Sequence, residues 1–118
     1  MLKVGREIET IVQTYLEKQG LIMLEANYQC RFGEIDLIMR DRTTLVFIEV
    51  RYRKQDDYGD GAASVDTIKQ NKIKKTAANY LYKHRLADQI NCRFDIVAVS
   101  GTQPYQIHWI TDAFWQRW

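Results

Sequence analysis

RFGEIDLIMRDRTTLVFIEVRYR, Arg31 to Arg53, decides the reading of this chain. Gly33–Met39 and Leu45–Arg51 are two apolar runs separated by the polar stretch Arg40–Thr44. The second run is rich in β-branched and aromatic residues, so the pair reads as a β-hairpin. Acids interrupt both runs at positions where a strand normally carries aliphatics: Glu34 and Asp36 in the first, Glu49 in the second.

A turn centred on Arg42-Thr43 sets Asp36 directly opposite Glu49. Because side chains alternate between the faces of a sheet, Glu34, Asp36 and Ile38 should share one face with Leu45, Phe47, Glu49, Arg51 and Arg53. Ile35, Leu37 and Met39 should share the other with Val46, Ile48 and Val50, an aliphatic surface suited to a packed helix. Like charges facing each other across two strands destabilise a sheet, so a cation is expected between Asp36 and Glu49. A divalent metal with oxygen ligands would serve, and so would the guanidinium of Arg51 two residues on.

Outside the hairpin the pattern alternates between helix and strand. Val4, Ile8, Ile11, Val12, Tyr15 and Leu16 recur at helical spacing, which predicts an amphipathic helix over Lys3–Gln19 ended by Gly20. Glu9 falls at the border of its apolar face, either as a solvated helix glutamate or as a third carboxylate directed at the strand acids. Leu21–Tyr28 reads as a short strand leading into the hairpin. Lys54–Ala63, rich in Gly and Asp, is a long loop directly after the acidic strand, a place where function concentrates.

Ser64 or Asp66 then caps a second helix reaching about Leu86, with Ile68, Ile73, Ala77, Tyr80 and Leu81 as its apolar stripe. Lys69, Lys72, Lys74 and Lys75 crowd its first half. That cluster is either a solvated face or a surface for a phosphate backbone. Its place matters, because cations are favoured at the C-terminal end of a helix dipole rather than at the N-terminal end. Cys92–Val99 reads as a buried strand and Tyr105–Ile110 as an alternating one. Thr111–Trp118 reads as a short capped helix with aromatic anchors. The element order is α-β-β-β-α-β-β, an α/β or α+β protein with a mixed sheet flanked by helices.

Composition narrows the function. The 118 residues carry 46% hydrophobic content, enough for one core and one domain spanning residues 1–118. Seventeen Lys and Arg stand against 15 Asp and Glu, a net charge of +2. So small an excess permits nucleic-acid binding only through local clustering. Two cysteines, Cys30 and Cys92, and two histidines, His84 and His108, lie far apart, which excludes a zinc constellation. The N-terminus is interrupted by Lys3, Arg6, Glu7 and Glu9 and does not resemble a signal peptide. No apolar run approaches the roughly 20 residues needed to span a bilayer. A cytoplasmic protein without membrane association is expected, with both thiols free and buried.

Glu9, Asp36 and Glu49 are hard oxygen donors suited to Mg²⁺ or Mn²⁺. Such an ion polarises a phosphodiester and activates water, and a neighbouring cation, Arg51 or Lys69, would meet the developing charge. GEIDLI, VFIEVRYR, SVDTIKQNKIKK at Ser64–Lys75 and RFDIVAV at Arg93–Val99 closely resemble the YraN family of small bacterial proteins. The resemblance extends from the first helix to Ala113-Phe114. It implies a restriction-endonuclease-like fold akin to archaeal Holliday-junction resolvases, whose pattern is a helix glutamate, an aspartate and then Glu-x-Lys.

Those positions fall on Glu9, Asp36 and Glu49, with Arg51 in place of the lysine. Ile35 stands where the pattern has a proline. Arginine effectively cannot lose its proton, so Arg51 can hold phosphate but cannot act as a general base. Lys69 matches a basic position in the family's second helix and could take that role.

The resemblance implies a Mg- or Mn-dependent nuclease acting on DNA, on branched or damaged substrates by analogy. Glu9, Asp36 and Glu49 would be the metal ligands, and Asp36, Glu49, Arg51 and Lys69 the catalytic group. Arg51, Arg53, Lys69, Lys72 and Lys75 would meet nucleic acid. A two-fold homodimer would follow from the resolvase analogy. Three other readings stand beside this one. The first is an inactive nucleic-acid-binding module. The second is a protein-interaction adaptor using Trp115 and Trp118. In the third, Asp36, Glu49 and Arg51 are simply an ion-paired cluster.

Overall fold

The computed structural model describes residues 5–54 and 65–115. The elements run α1 (Arg6–Lys18), β1 (Ile22–Cys30), β2 (Gly33–Asp41), β3 (Thr44–Arg53), α2 (Thr67–Lys83), β4 (Asn91–Ser100) and β5 (Gln106–Phe114). This is the expected α-β-β-β-α-β-β order. Five strands form one mixed sheet in the order β1-β2-β3-β4-β5. β3 and β4 are parallel, and the other neighbours are antiparallel. Parallel neighbours need a long crossover, and α2 supplies it. β3 and β4 are accordingly apolar on both faces along most of their length.

The hairpin register is the expected one. Leu37 faces Ile48, Ile38 faces Phe47 and Asp41 faces Thr44, with Arg42 at φ +57° in the turn. One core lies under α1, where Ile8, Val12 and Leu16 pack on Leu37, Met39, Val46, Ile48 and Val50. The other lies under α2, where Ile73, Ala77, Tyr80 and Leu81 pack on Ile38, Leu45, Phe47 and Phe94. Each fully buried aliphatic or aromatic side chain contributes about 1.5–3 kcal/mol, so the two helices are held by their inward stripes.

Ile35 departs from the expectation. It packs in the α2 core with Ile38 and Tyr28, away from Leu37 and Met39. The alternation of β2 is therefore interrupted at Asp36. Its partner strand is irregular at the same level: the register is the same at Ala26–Leu37 and Tyr28–Ile35, but Asn27 and Asp36 between them do not pair, and Asn27 has φ +53°.

Both helices end in a backbone reversal. After α1, Gly20 at φ +102° lets its own N–H reach Glu17 and the Leu21 N–H reach Leu16, while Leu21 itself is buried. That combination is a Schellman motif. Lys3 and Val4 of the predicted first helix lie outside the described residues. α2 is capped by Asp66, whose carboxylate accepts the Lys69 backbone N–H at 2.8 Å; Ser64 lies outside the described residues. α2 stops at Lys83 rather than near Leu86, because Arg85 takes φ +57° and the Leu86 N–H bonds back to Leu81. Ile68, expected in its apolar stripe, is 69% exposed.

The C-terminus corrects a further expectation. Thr111–Phe114 continues β5 as a strand rather than starting a helix. Asp112 adopts φ +52° at a register shift between β4 and β5, and its N–H donates to Asp95 at 2.9 Å. The strand thereby carries Phe114 onto Phe94, with ring centroids 4.9 Å apart. Trp115 is exposed, and Trp118 lies outside the described residues, as do residues 55–63 of the Gly/Asp-rich loop.

Candidate acidic site on the β2–β3 hairpin

Asp36 stands one step beyond the Leu37–Ile48 pair, so the hairpin register sets it across from Glu49. Its Oδ2 accepts the Val50 backbone N–H at 2.8 Å. A side-chain oxygen thus takes a strand N–H at the end of the ladder and fixes the carboxylate beside Glu49. Asp36 and Glu49 are close enough to share a hydrogen bond when a proton is present on Asp36. Burial, the Glu49 charge, that shared bond and the Glu34 charge push the Asp36 carboxyl up to about 7, against the pull of the Val50 N–H. Two carboxylates this close cannot both ionise freely.

Two cations converge on the other acid. Glu49 is nearly buried, and its Oε2 lies 3.4 Å from Arg51 Nε and 3.7 Å from Lys69 Nζ. Lys69 sits in the first turn of α2, where the helix dipole disfavours a cation; the Glu49 carboxylate offsets that cost. The expected meeting of Asp36, Glu49, Arg51 and Lys69 is present in the fold.

Glu9 approaches from α1. It is buried, and its Oε1 accepts Asn27 Nδ2 at 2.9 Å. The same amide donates to Glu34 Oε1 at 3.2 Å. Burial raises the Glu9 carboxyl above the usual range, the Asn27 bond opposes this, and the charges of Asp36 and Glu34 add to the rise. Glu9 is therefore directed at the strand acids rather than at solvent.

Of two further participants, Glu34 was placed by the sequence on the Asp36 face without a role, and Asn27 was missed. Glu34 shares the neighbourhood of Glu9 and Asp36, and Asn27 links it to Glu9. The available signal was Asn27 itself, a residue disfavoured in strands and tolerant of left-handed backbone, standing inside an otherwise regular β run.

The remaining basic candidates are more dispersed. Lys72 passes close to Gly33, where its Cβ would stand 3.7 Å from an added Cβ. Lys75 is exposed on α2, and Arg53, half-buried, offers its carbonyl to the Gly101 N–H at 2.9 Å. Among the described residues, no three carboxylate, thiol or imidazole groups are gathered tightly enough to enclose a metal ion. The donor chemistry nonetheless suits a hard divalent cation, because the neighbouring Asp36 and Glu49 carboxyl groups offer oxygen ligands.

Another concavity, of about 610 Å³, opens between Asp41, Asn91, Arg93, Trp109 and Asp112 and contains none of these acids. Beside it lies Asp95, fully buried and saturated. It accepts Arg93 Nε at 3.1 and 3.2 Å, Trp109 Nε1 at 2.9 Å and the Asp112 N–H, while Arg93 also reaches Asp41 at 2.9 Å. With its oxygens so fully engaged, this network braces β4 against β5.

Both cysteines are free, as expected, but half-buried rather than the buried thiols expected, and burial pushes the Cys92 thiol up to about 11. No helix among the described residues is long and apolar enough to cross a membrane.

Comparison with known proteins agrees with the motif resemblance. Residues 8–99 match the model of "Uncharacterised protein family UPF0102". The chain is 46% identical to a UPF0102 protein of Nitrosomonas europaea over 110 residues, covering 93% of this chain and 92% of that one. It is 49% identical to a UPF0102 protein of Coxiella burnetii over 111 residues, covering 94% and 91%. A Methylobacillus flagellatus relative is 43% identical over 114 residues, 97% and 98% of the two chains. Matched over most of its length by the family model and by these relatives, the chain belongs to family UPF0102, the YraN family.

Proposed function

We propose that this protein is a metal-dependent nuclease that hydrolyses DNA phosphodiesters at the Asp36–Glu49 pair. The observation that carries the reading is the convergence on Glu49: the Asp36 carboxyl stands across from it in the hairpin register, while Arg51 and Lys69 stand 3.4 and 3.7 Å from one oxygen. Paired acids with adjoining cations are what a phosphate ester needs, since the acids hold a cation and the basic groups meet the phosphate charge.

Asp36 and Glu49 would hold Mg²⁺ or Mn²⁺, with Glu9 completing the set. Bound there, the ion would polarise the phosphoryl oxygen and lower the pKa of water. Arg51 would orient the phosphate through its guanidinium and keep its proton throughout. Lys69 would leave Glu49 for the phosphate as substrate enters, placing a positive charge beside the oxygens that become more negative. Asp36, held by the Val50 N–H, keeps its oxygens aimed at Glu49 while this happens. The exposed Lys72 and Lys75 extend the basic surface of α2 towards the flanking backbone, and Arg53 extends that of β3. Branched or damaged DNA, cut by a two-fold dimer, is the substrate suggested by the resolvase-like pattern; this part rests on analogy of fold.

A second reading keeps the surface and drops the reaction. Glu49 is already engaged by two cations, and Arg51 stands where the nuclease pattern has lysine, which favours a nucleic-acid-binding module without catalysis. One assay separates the two: cleavage of end-labelled single-stranded, duplex, flap and four-way DNA in Mg²⁺ and Mn²⁺, wild type beside Asp36→Asn. Metal-dependent products absent from the mutant support the nuclease. Salt-sensitive binding by both proteins without products supports the module and rejects the nuclease.

A further inference from the structure

Asn27 ties together three elements that the acidic site needs. Its backbone belongs to β1, and its amide donates to Glu9 on α1 at 2.9 Å and to Glu34 on β2 at 3.2 Å. An ionised carboxylate only accepts hydrogen bonds, and the amide nitrogen has two protons to give. The two partners therefore fix which way the amide faces.

The backbone adds a second requirement. At φ +53° Asn27 occupies the left-handed region, which asparagine enters more readily than most side chains. Glycine would suit the backbone and lose both bonds. Aspartate would suit the backbone and set a third acceptor against two others. Position 27 calls for left-handed tolerance together with two donors, and asparagine meets both demands.

We infer that Asn27 is a positioning residue: its amide clamps the Glu9 and Glu34 carboxylates together and sets where Glu9 stands relative to Asp36. Without it, Glu9 and Glu34 would face each other and Asp36 with no donor between them, and like charges would drive them apart. The clamp stands on the geometry, and its consequence for metal binding rests on the nuclease reading above.

The test is a double-mutant cycle on the full chain, with Mn²⁺ affinity measured by calorimetry. The four proteins are wild type, Asn27→Gly, Glu9→Gln and the double mutant. Asn27→Gly is expected to weaken Mn²⁺ binding roughly tenfold, the scale on which groups that orient metal ligands act. In the Glu9→Gln background it should add little, because the two residues act as a unit. A merely structural role would cost the same factor in both backgrounds. That result, or wild-type affinity in Asn27→Gly, overturns the proposal.

A metal-free arm keeps the clamp testable if Asn27→Gly does not fold, or if wild type binds no Mn²⁺ and the nuclease reading itself falls. NMR of the wild-type Asn27 side chain should show two well-separated, slowly exchanging amide protons. They should collapse to ordinary solvent exchange in the Glu9→Ala/Glu34→Ala chain. Rapid exchange in wild type, or unchanged signals in that variant, overturns the clamp.

Discussion

The Asp36 carboxylate accepts the Val50 backbone N–H at 2.8 Å, just past the Leu37–Ile48 pair of the β2–β3 ladder. One side chain thus completes the backbone hydrogen bonding of a core strand and holds a carboxyl beside Glu49. Structure and chemistry depend on the same side chain, and two substitutions separate them.

Asp36→Asn keeps an acceptor for Val50 and removes the charge. The Asp36 carboxyl is raised from 3.8 to about 7 in the fold, so between those values the folded chain holds a proton that the unfolded chain has released. Stability contributed by this group is full below the lower value and is lost as pH rises through about 7. Asp36→Asn should therefore be more stable than wild type at pH 8, by on the order of 2 kcal/mol, with the difference vanishing near pH 4. Asp36→Ala leaves the Val50 N–H without its acceptor and should cost about 1–3 kcal/mol. Urea unfolding at both pH values measures this; a mutant advantage that grew towards acid would contradict the assignment.

Gly33 opens β2 at φ +152°, and an added Cβ would stand 3.3 Å from Thr76 Oγ1 on α2. Gly33→Ala combines backbone strain with pressure on that helix, whose Thr76 is fully buried and bonded to the Lys72 carbonyl. A loss of about 1–3 kcal/mol is expected, read as a lower denaturation midpoint. A thermal shift within error of wild type would show that α2 yields freely.

Asp95 is the fully buried acceptor for Arg93, Trp109 and the Asp112 N–H. Asp95→Ala leaves the half-buried Arg93 paired with Asp41 alone and takes the acceptor from the Trp109 indole N–H, at a cost of about 1–3 kcal/mol. Hydrogen exchange should then show β5 opening first, because the Asp112 register shift loses its anchor. Uniform opening across the sheet would argue that β5 is held by its apolar contacts alone.

Lys69 offers a readout for nucleic acid that needs no catalysis. If it meets phosphate, Lys69→Gln should reduce the slope of log affinity against log salt for duplex DNA by about 0.9, the value of one neutralised phosphate. Glu49→Gln frees Lys69 from its ion pair and should strengthen binding. An unchanged slope in Lys69→Gln would confine that side chain to its pairing with Glu49.

The hairpin was legible because alternation and turn position fix register, and both hold from Leu37 to Ile48. Legibility stops at Asp36. There the left-handed Asn27 on the neighbouring strand and the side-chain bond to Val50 turn Ile35 into the α2 core; an asparagine inside a β run is the only local trace of the first, and the second leaves none. The end of α2 was set too late because Arg85, not glycine, makes the left-handed reversal.

Thr111-Asp112 resembles a helix cap, yet Asp112 serves as a donor to Asp95, a tertiary contact unseen in the pattern. Among the acids, Glu9, Asp36 and Glu49 were marked by their positions in the motifs. Glu34 was placed on the Asp36 face by alternation, but its link to Glu9 appeared only once the fold brought α1 to β2 through Asn27.

The central claim is that Asp36 and Glu49 together hold a divalent cation, and Mn²⁺ titration by calorimetry tests it most directly. Wild type, Asp36→Asn and Glu49→Gln would be compared at pH 6 and pH 8. Displacing the Asp36 proton should make wild-type affinity rise between the two values, approaching tenfold per pH unit below about 7. Either substitution should abolish the binding. Equal affinity in all three proteins, or no Mn²⁺ binding by wild type at pH 8, would contradict the account.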